Sequence, residues 1–219
     1  MTRCLDIHTH HSAPQPQAVV SASYEDFDPQ EGQLYSLGIH PWTSYNKFTN
    51  DQWADFQIKA SLPCVVAIGE CGIDRLKGGP MYNQLLIFNR QVEISEKLKK
   101  PLIIHDVKAH EIVTGMKRDI NPTQKWLVHG FRYKPTVAKM LTEQGIYLSF
   151  GEHFNEESLR NVPREKLLAE TDESPLSIEQ IIANLSATLG EDITELIAIN
   201  TGNFLYGNNI LTTDDEIEI

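Results

Sequence analysis

His8 and His10 stand two residues apart in the segment Asp6-Ile7-His8-Thr9-His10. Residues i and i+2 of a strand point to the same face, so the two imidazoles can grip one cation. Alone, a His-x-His pair is a common accident. Its weight comes from where the other candidate ligands fall. Glu70 follows Val65-Val66-Ala67-Ile68-Gly69, His105 follows Leu102-Ile103-Ile104, His129 follows Trp126-Leu127-Val128, and Asp172 stands just past Leu167-Leu168-Ala169. If these apolar runs are strands of one parallel barrel, their C-terminal ends share a rim, and the four histidines and two carboxylates meet there. Such a set has enough donors for two divalent ions sharing a bridge, and imidazoles with carboxylates suit Zn, Mn, Fe or Ni. Two close ions lower the pKa of a shared water, polarise a scissile group and stabilise the leaving oxygen. Asp172 is then the carboxylate expected to accept the proton of that water. The chemistry expected of these residues is metal-assisted hydrolysis, with Glu70 and Asp172 at its centre.

The elements that would position them can be read from the apolar pattern. Strand-like stretches fall at residues 4–8, 18–22, 34–39, 65–69, 102–105, 126–129, 146–150 and 167–170. Most are continuous apolar runs, as expected of strands buried on both faces. Met81, Leu85, Phe88 and Val92 make one helical stripe, and Ile178, Ile181, Ile182, Leu185 and Leu189 make another. Ser177 with Gln180 reads as a capping box, Pro135 and Gly145 bracket a further helix, and residues 192–204 read as a final helix docking back on the body. Strand–helix alternation predicts an α/β fold, and eight strands predict a closed (β/α)8 TIM barrel in one domain spanning 1–219.

The front of this barrel is trimmed. Parallel neighbours normally need a crossover of a dozen or more residues, usually helical. The first two links are too short and too rich in Pro14, Pro16, Pro29 and Gly32 to hold helices. The barrel face beside them is expected to be uncovered and to be closed by a partner subunit, as in a homo-oligomer, or by the C-terminal tail.

Composition sets limits on function. The 219-residue chain carries 19 Lys and Arg against 30 Asp and Glu, a net charge of −11 with histidines neutral. Tight non-specific binding to long duplex DNA depends on many cations and is disfavoured. No apolar run is long enough for a transmembrane helix, and the charged start does not read as a signal peptide, so a cytoplasmic location is expected. Cys4, Cys64 and Cys71 are too few and too scattered for a disulfide framework.

Other polar residues sit where a rim would place them. His40, in Gly38-Ile39-His40-Pro41, is expected to reach substrate or to support a ligand, and His153 to stand on a rim loop near substrate. Lys108, Arg132 and Lys134 are loop cations suited to a phosphate. Asp74 is suited to fixing its loop or orienting a ligand, whereas His11 should face away and His110 should be a solvated residue within a helix.

The motifs His8-Thr9-His10, Gly38-Ile39-His40-Pro41, Gly69-Glu70-Cys71-Gly72-Ile73-Asp74, Ile103-Ile104-His105, Val128-His129-Gly130-Phe131, Glu170-Thr171-Asp172-Glu173-Ser174-Pro175 and Asn200-Thr201-Gly202-Asn203-Phe204 together resemble the successive signatures of the TatD-like deoxyribonuclease family. The resemblance covers almost the whole chain in order. It implies a barrel with His8, His10 and Asp172 on one metal, His105 and His129 on the other, and Glu70 bridging, the two ions being Mg, Mn or Zn. It also implies phosphodiester hydrolysis in nucleic acid. The chain departs from the family after Asp74, where Arg75 and Lys77-Gly78-Gly79-Pro80 stand in place of aromatic residues. It departs again after His105, where Lys108 stands near the family's arginine. Those departures touch substrate contacts, so hydrolysis of a small phosphoester, amide or lactone on the same site is the alternative. A non-catalytic, metal-stabilised scaffold is a third reading, disfavoured by the complete ligand set.

Overall fold

A computed structural model describes residues 4–207. Eight parallel strands close into a barrel in sequence order, β1 (Asp6–Thr9), β2 (Ala18–Ser23), β3 (Leu34–Gly38), β4 (Val65–Asp74), β5 (Leu102–Val107), β6 (Trp126–Val128), β7 (Tyr147–Phe150) and β8 (Leu167–Ala169). The ring is sealed by Asp6 of β1 pairing with Ala169 of β8. Helices α1 (Asn50–Ser61), α2 (Met81–Leu98), α3 (His110–Ile120), α4 (Pro135–Glu143), α5 (Glu156–Asn161), α6 (Ile178–Leu189) and α7 (Thr194–Tyr206) complete the chain order. The links β1–β2 and β2–β3 carry no helix, as the sequence predicts.

The trimmed face is nonetheless buried by this chain. Leu5 just before β1, Val20 of β2 and Tyr35 of β3 are each under a tenth exposed. The β2–β3 loop folds back, setting Phe27 edge-on to Tyr35 at 5.4 Å and donating Gln30 N–H to the Tyr35 hydroxyl at 3.0 Å. The expectation of an open face at these positions is therefore corrected: a loop rich in turn residues still carries aromatic cover. The C-terminal tail beyond Gly207, the other proposed cover, lies outside the described residues.

Ile7, Val19, Ala67, Ile103, Leu127 and Leu168 form a compact apolar cluster, joined from below by Phe204 and Leu205 of α7. Tyr147 and Phe204 meet edge to face at 5.3 Å, so α7 plugs one end of the barrel. The period-two alternation of strands then sets the chemistry at the other end. Ile103 precedes His105 by two residues, Leu127 precedes His129 and Leu168 precedes Glu170, so polar groups stand directly above an apolar plug. The outer faces pack against helices around Phe88, Trp126, Phe131 and Phe150.

Strand β4 is longer than its apolar run. It continues to Asp74, pairing Cys71 with Ile104, Gly72 with His105 and Asp74 with Val107, after a register shift between Ile68 and Cys71. Glu70 thus lies within a strand, at an irregularity, and not at the strand's end as expected. Glycine makes this possible. A Cβ on Gly38 would collide with the backbone carbonyl of Glu70, and one on Gly72 with that of His105. Backbones this close leave no room for any side chain.

Candidate metal centre

Glu70 lies at the middle of a cluster of five imidazoles. On its Oε2 side, His10 Nε2 is 3.2 Å away and His8 Nε2 is 3.5 Å away. On its Oε1 side, His105 Nδ1 is at 2.7 Å, His129 Nε2 at 2.8 Å and His40 Nε2 at 3.0 Å. Asp172 Oδ1 stands 3.7 Å from His10 Nε2 and 3.9 Å from His8 Nε2. All six residues singled out for metal therefore converge, and His40 joins them.

Local backbone aims each group. Asp172 adopts φ +54°, an uncommon left-handed conformation for a residue with a side chain. Its amide donates to the His8 carbonyl at 3.0 Å and its carbonyl accepts from His10 N–H at 2.9 Å, so β1 and the β8 rim are locked together. Beneath them the buried Asp6 carboxylate accepts from the Thr171 hydroxyl at 2.6 Å and the Thr171 amide at 3.0 Å. Burial pushes the Asp6 carboxyl up to about 7, against the pull of those Thr171 bonds.

Hydrogen-bond partners fix which nitrogen of a ring is free. Asp74 Oδ2 lies 3.1 Å from His105 Nε2, so that nitrogen carries the proton and Nδ1 turns a lone pair toward Glu70. At His129 no hydrogen bond makes the choice: the fully buried Glu170 Oε1 stands 3.6 Å from Nδ1, beyond hydrogen-bond reach, while Nε2 faces Glu70 Oε1 at 2.8 Å. At His40 the assignment is reversed. The Trp42 backbone amide donates to His40 Nδ1 at 3.1 Å, so the neutral ring carries its proton on Nε2 and donates toward Glu70. A protonated nitrogen has no lone pair for a cation, which makes His40 a hydrogen-bond donor into the centre.

The charge balance is that of a site built for cations. Burial would raise the Glu70 carboxyl, but the surrounding imidazoles, His129 first among them, hold it well below the carboxylate range. Burial would lower His129, but Glu70 and Glu170 drive it well above the ordinary histidine value. His8 is lowered, chiefly by burial, and so is His40. His10 is raised by its bond to Glu70. The sharpest observation concerns His8: it is completely buried, and neither ring nitrogen has a hydrogen-bond partner. Buried polar atoms are rarely left unpaired, and a coordinated cation is the partner that an imidazole lone pair among carboxylates fits.

Ligand atoms within 4.8 Å of one another fall into groups. His8, His10 and Asp172 form one, as the resemblance implies. His129 groups with His8 and Glu70, and also with Glu170 and Asp172, whereas His105 groups with His40 and Glu70. His105 and His129, implied to share one ion, both stand against Glu70 Oε1, at 2.7 and 2.8 Å.

The centre opens into a cleft of about 620 Å³ whose wall includes His40, Trp42, Arg132, Tyr133, Glu25 and Glu173. Of the residues expected near substrate, His40 and Arg132 line it; the exposed Lys108 and His153 are not among its lining residues. His110 is the first residue of α3, within 3.1 Å of Asp106, and so is not a free mid-helix residue. His11 bonds to the Ser174 carbonyl at 2.8 Å. Glu170 and Trp42 were not anticipated. Glu170 follows Leu168 at the same period-two spacing that marks His105 and His129, and that spacing is the signal for it. Trp42 had no periodic signal.

Three kinds of likeness to known proteins bear on the site. A family model described as TatD related DNase matches residues 28–206. YabD of Bacillus subtilis, a metal-dependent hydrolase by name, is 29% identical over 146 residues, covering 63% of this chain and 57% of its own length. The chain thus spans little more than half of that relative. The 3'-5' ssDNA/RNA exonuclease TatD of Erwinia amylovora is 24% identical over 190 residues, 74% of this chain and 73% of its own. Among solved structures, YjjV, a TatD homologue from Escherichia coli, superposes with a TM-score of 0.79 at 20% identity, over 93% of this chain and 98% of that one. At that identity the likeness bears on fold.

Proposed function

Because the chain belongs to the TatD related DNase family, we propose that it is a divalent-metal-dependent hydrolase that cleaves phosphodiester bonds of single-stranded nucleic acid, with residues 1–219 acting as one catalytic unit. The observation that carries this reading is the completely buried His8, whose Nε2 faces Glu70 and Asp172 without a hydrogen-bond partner in a cluster of further imidazoles. His8, His10, Glu70, His105, His129 and Asp172 are the residues that would hold the ions, with Mg, Mn or Zn as the candidates and two ions sharing Glu70. When bound, the ions supply Lewis acidity and a water acidic enough to be deprotonated near neutral pH.

The remaining roles fall to the chain's own groups. Glu70 offers one oxygen to each half of the site. Asp172, with about a third of its side chain exposed, faces the cleft and is placed to accept a proton from the attacking water. His40, on the cleft wall, donates its N–H to Glu70 Oε1 and so orients that carboxylate. Arg132 on the cleft wall can hold a phosphate oxygen.

Metal analysis of the wild type, His8→Ala and Glu70→Ala proteins tests the ligand set. Both variants should lose most bound metal while their circular dichroism stays native. Full metal content in both refutes the assignment. Turnover of single-stranded oligonucleotides, small phosphodiesters, cyclic amides and lactones with each metal tests the substrate class. The acidic cleft keeps a small phosphoester as the second reading, which exclusive turnover of such compounds would establish.

A further inference from the structure

We propose that Trp42, with Lys77, forms a stacking subsite for one nucleobase of the substrate, beside the groups that hold the ions. The inference rests on the phosphodiester reading above.

Trp42 lines the same cleft as Glu70 and His105, and it is 42% exposed. Its orientation is set. The indole N–H donates to Asp74 Oδ2 at 2.7 Å, and the ring stands edge to face with His40 at 4.7 Å and His105 at 5.7 Å between centroids. The hydrogen bond explains why an indole is held there. It does not explain why so large an apolar ring is left facing water at the mouth of a cleft, where aromatic side chains normally mark recognition.

The cleft's charge strengthens the case. Among the described residues on its wall, Arg132 is the one Lys or Arg, set against Glu25, Asp106, Asp172 and Glu173. Apart from bound ions, the chain itself offers a phosphate little attraction there, so a base contact would add affinity that the wall lacks. Stacking a base on an aromatic ring contributes about 1–3 kcal/mol and tolerates any base. The ring face is not bare in the free protein: the Lys77 ammonium lies 3.1 Å from its centroid. Such an exposed cation–π contact is worth only about 0.5–1 kcal/mol, and Lys77 is itself exposed. A base therefore outcompetes the ammonium for that face, and the displaced cation becomes free to meet a backbone phosphate. Lys77 acts as a placeholder whose release compensates the incoming negative charge.

Equilibrium binding of deoxyadenosine monophosphate and of deoxyribose phosphate, which lacks the base, tests this without any turnover. Wild type should prefer the nucleotide by about 5- to 150-fold, the range that one stacking contact spans. In Trp42→Leu the preference should fall to near one, and in Trp42→Phe it should return in part. The ratio is taken within each protein, which cancels general damage to the Asp74 corner. Equal binding of the two ligands by wild type, or an undiminished preference in Trp42→Leu, overturns the subsite. A base preference in a protein that hydrolyses no phosphodiester with any metal supports the subsite and removes the catalytic reading instead. Phosphodiester turnover without base preference does the reverse.

Discussion

Two imidazoles here are defined by what the far nitrogen touches. His105 turns Nδ1 inward because Asp74 takes its Nε2–H, and His40 turns an N–H inward because a backbone amide occupies its Nδ1. Asp74 does several tasks at once: Oδ2 meets His105 and Trp42, while Oδ1 accepts the amides of Leu76 at 2.8 Å and Lys77 at 2.9 Å. An asparagine at this position must point its NH2 at one of those donor pairs, whichever way it turns. Asp74→Asn should therefore weaken metal binding by about 10- to 100-fold, as loss of a ligand's orienting carboxylate typically does, with the fold intact by circular dichroism. Calorimetric titration showing wild-type affinity would remove Asp74 from this role. Much at this scale was legible in the sequence, because His8, His10, Glu70, His105, His129 and Asp172 each stand at or just past an apolar run. What was not legible depends on contacts across the chain. Nothing in Gly38-Ile39-His40-Pro41-Trp42 announces that the Trp42 amide will choose the His40 tautomer, or that its indole will reach Asp74.

Helix α2 shows how an element beyond the barrel reaches the rim. Its apolar stripe of Phe88 and Val92 packs on the core as the spacing predicts, but the same buried face carries Gln84 and Gln91. Gln91 accepts the Ile39 amide at 2.8 Å and donates to the Ile39 carbonyl at 3.0 Å, gripping the residue before His40. Gln84 does likewise for Asp74, accepting its amide at 2.8 Å and donating to its carbonyl at 3.0 Å. Ile39 lies past the end of β3 and Asp74 is the last residue of β4, and the two glutamine amides finish the hydrogen bonding of their backbone groups. Gln91→Leu keeps shape and burial but orphans both Ile39 groups. A loss of about 2–6 kcal/mol in unfolding free energy follows, at roughly 1–3 kcal/mol for each of the two buried groups left unpaired. Denaturant unfolding with a loss under 1 kcal/mol would mean that water replaces the amide. The strand order and the helix-free first crossovers could be read from composition, because apolar runs and Pro-rich links leave few alternatives. Helix α1 was harder: it buries only Phe56 and Ala60, so it shows no stripe, although Thr49 and Gln52 form the capping box that opens it. The extension of β4 past Gly69 was hidden because glycine and a carboxylate normally end an apolar strand.

Across the whole molecule, the net charge of −11 sets the terms on which a polyanion can approach. Among the described residues no helix is long and apolar enough to cross a membrane. The field of that net charge is repulsive to nucleic acid at a distance; at the cleft the cations in reach are Arg132 on the wall, Lys77 over the Trp42 ring and any bound ions. A protein that holds a strand with many lysines and arginines loses affinity steeply with salt, by a slope of about −0.7 per neutralised phosphate for single strands. With Arg132 and Lys77 as the cations in reach, the logarithm of affinity for a single-stranded oligonucleotide should fall with the logarithm of salt concentration at a slope near −1.4, twice that value. Duplex of the same length should bind weakly throughout, since its two strands bring more charge to the same few cations. Binding isotherms across a sodium chloride series at fixed divalent metal give the slope directly. A slope steeper than about −3 would require more than four phosphate contacts, and the strand would then have to run over cations outside this cleft.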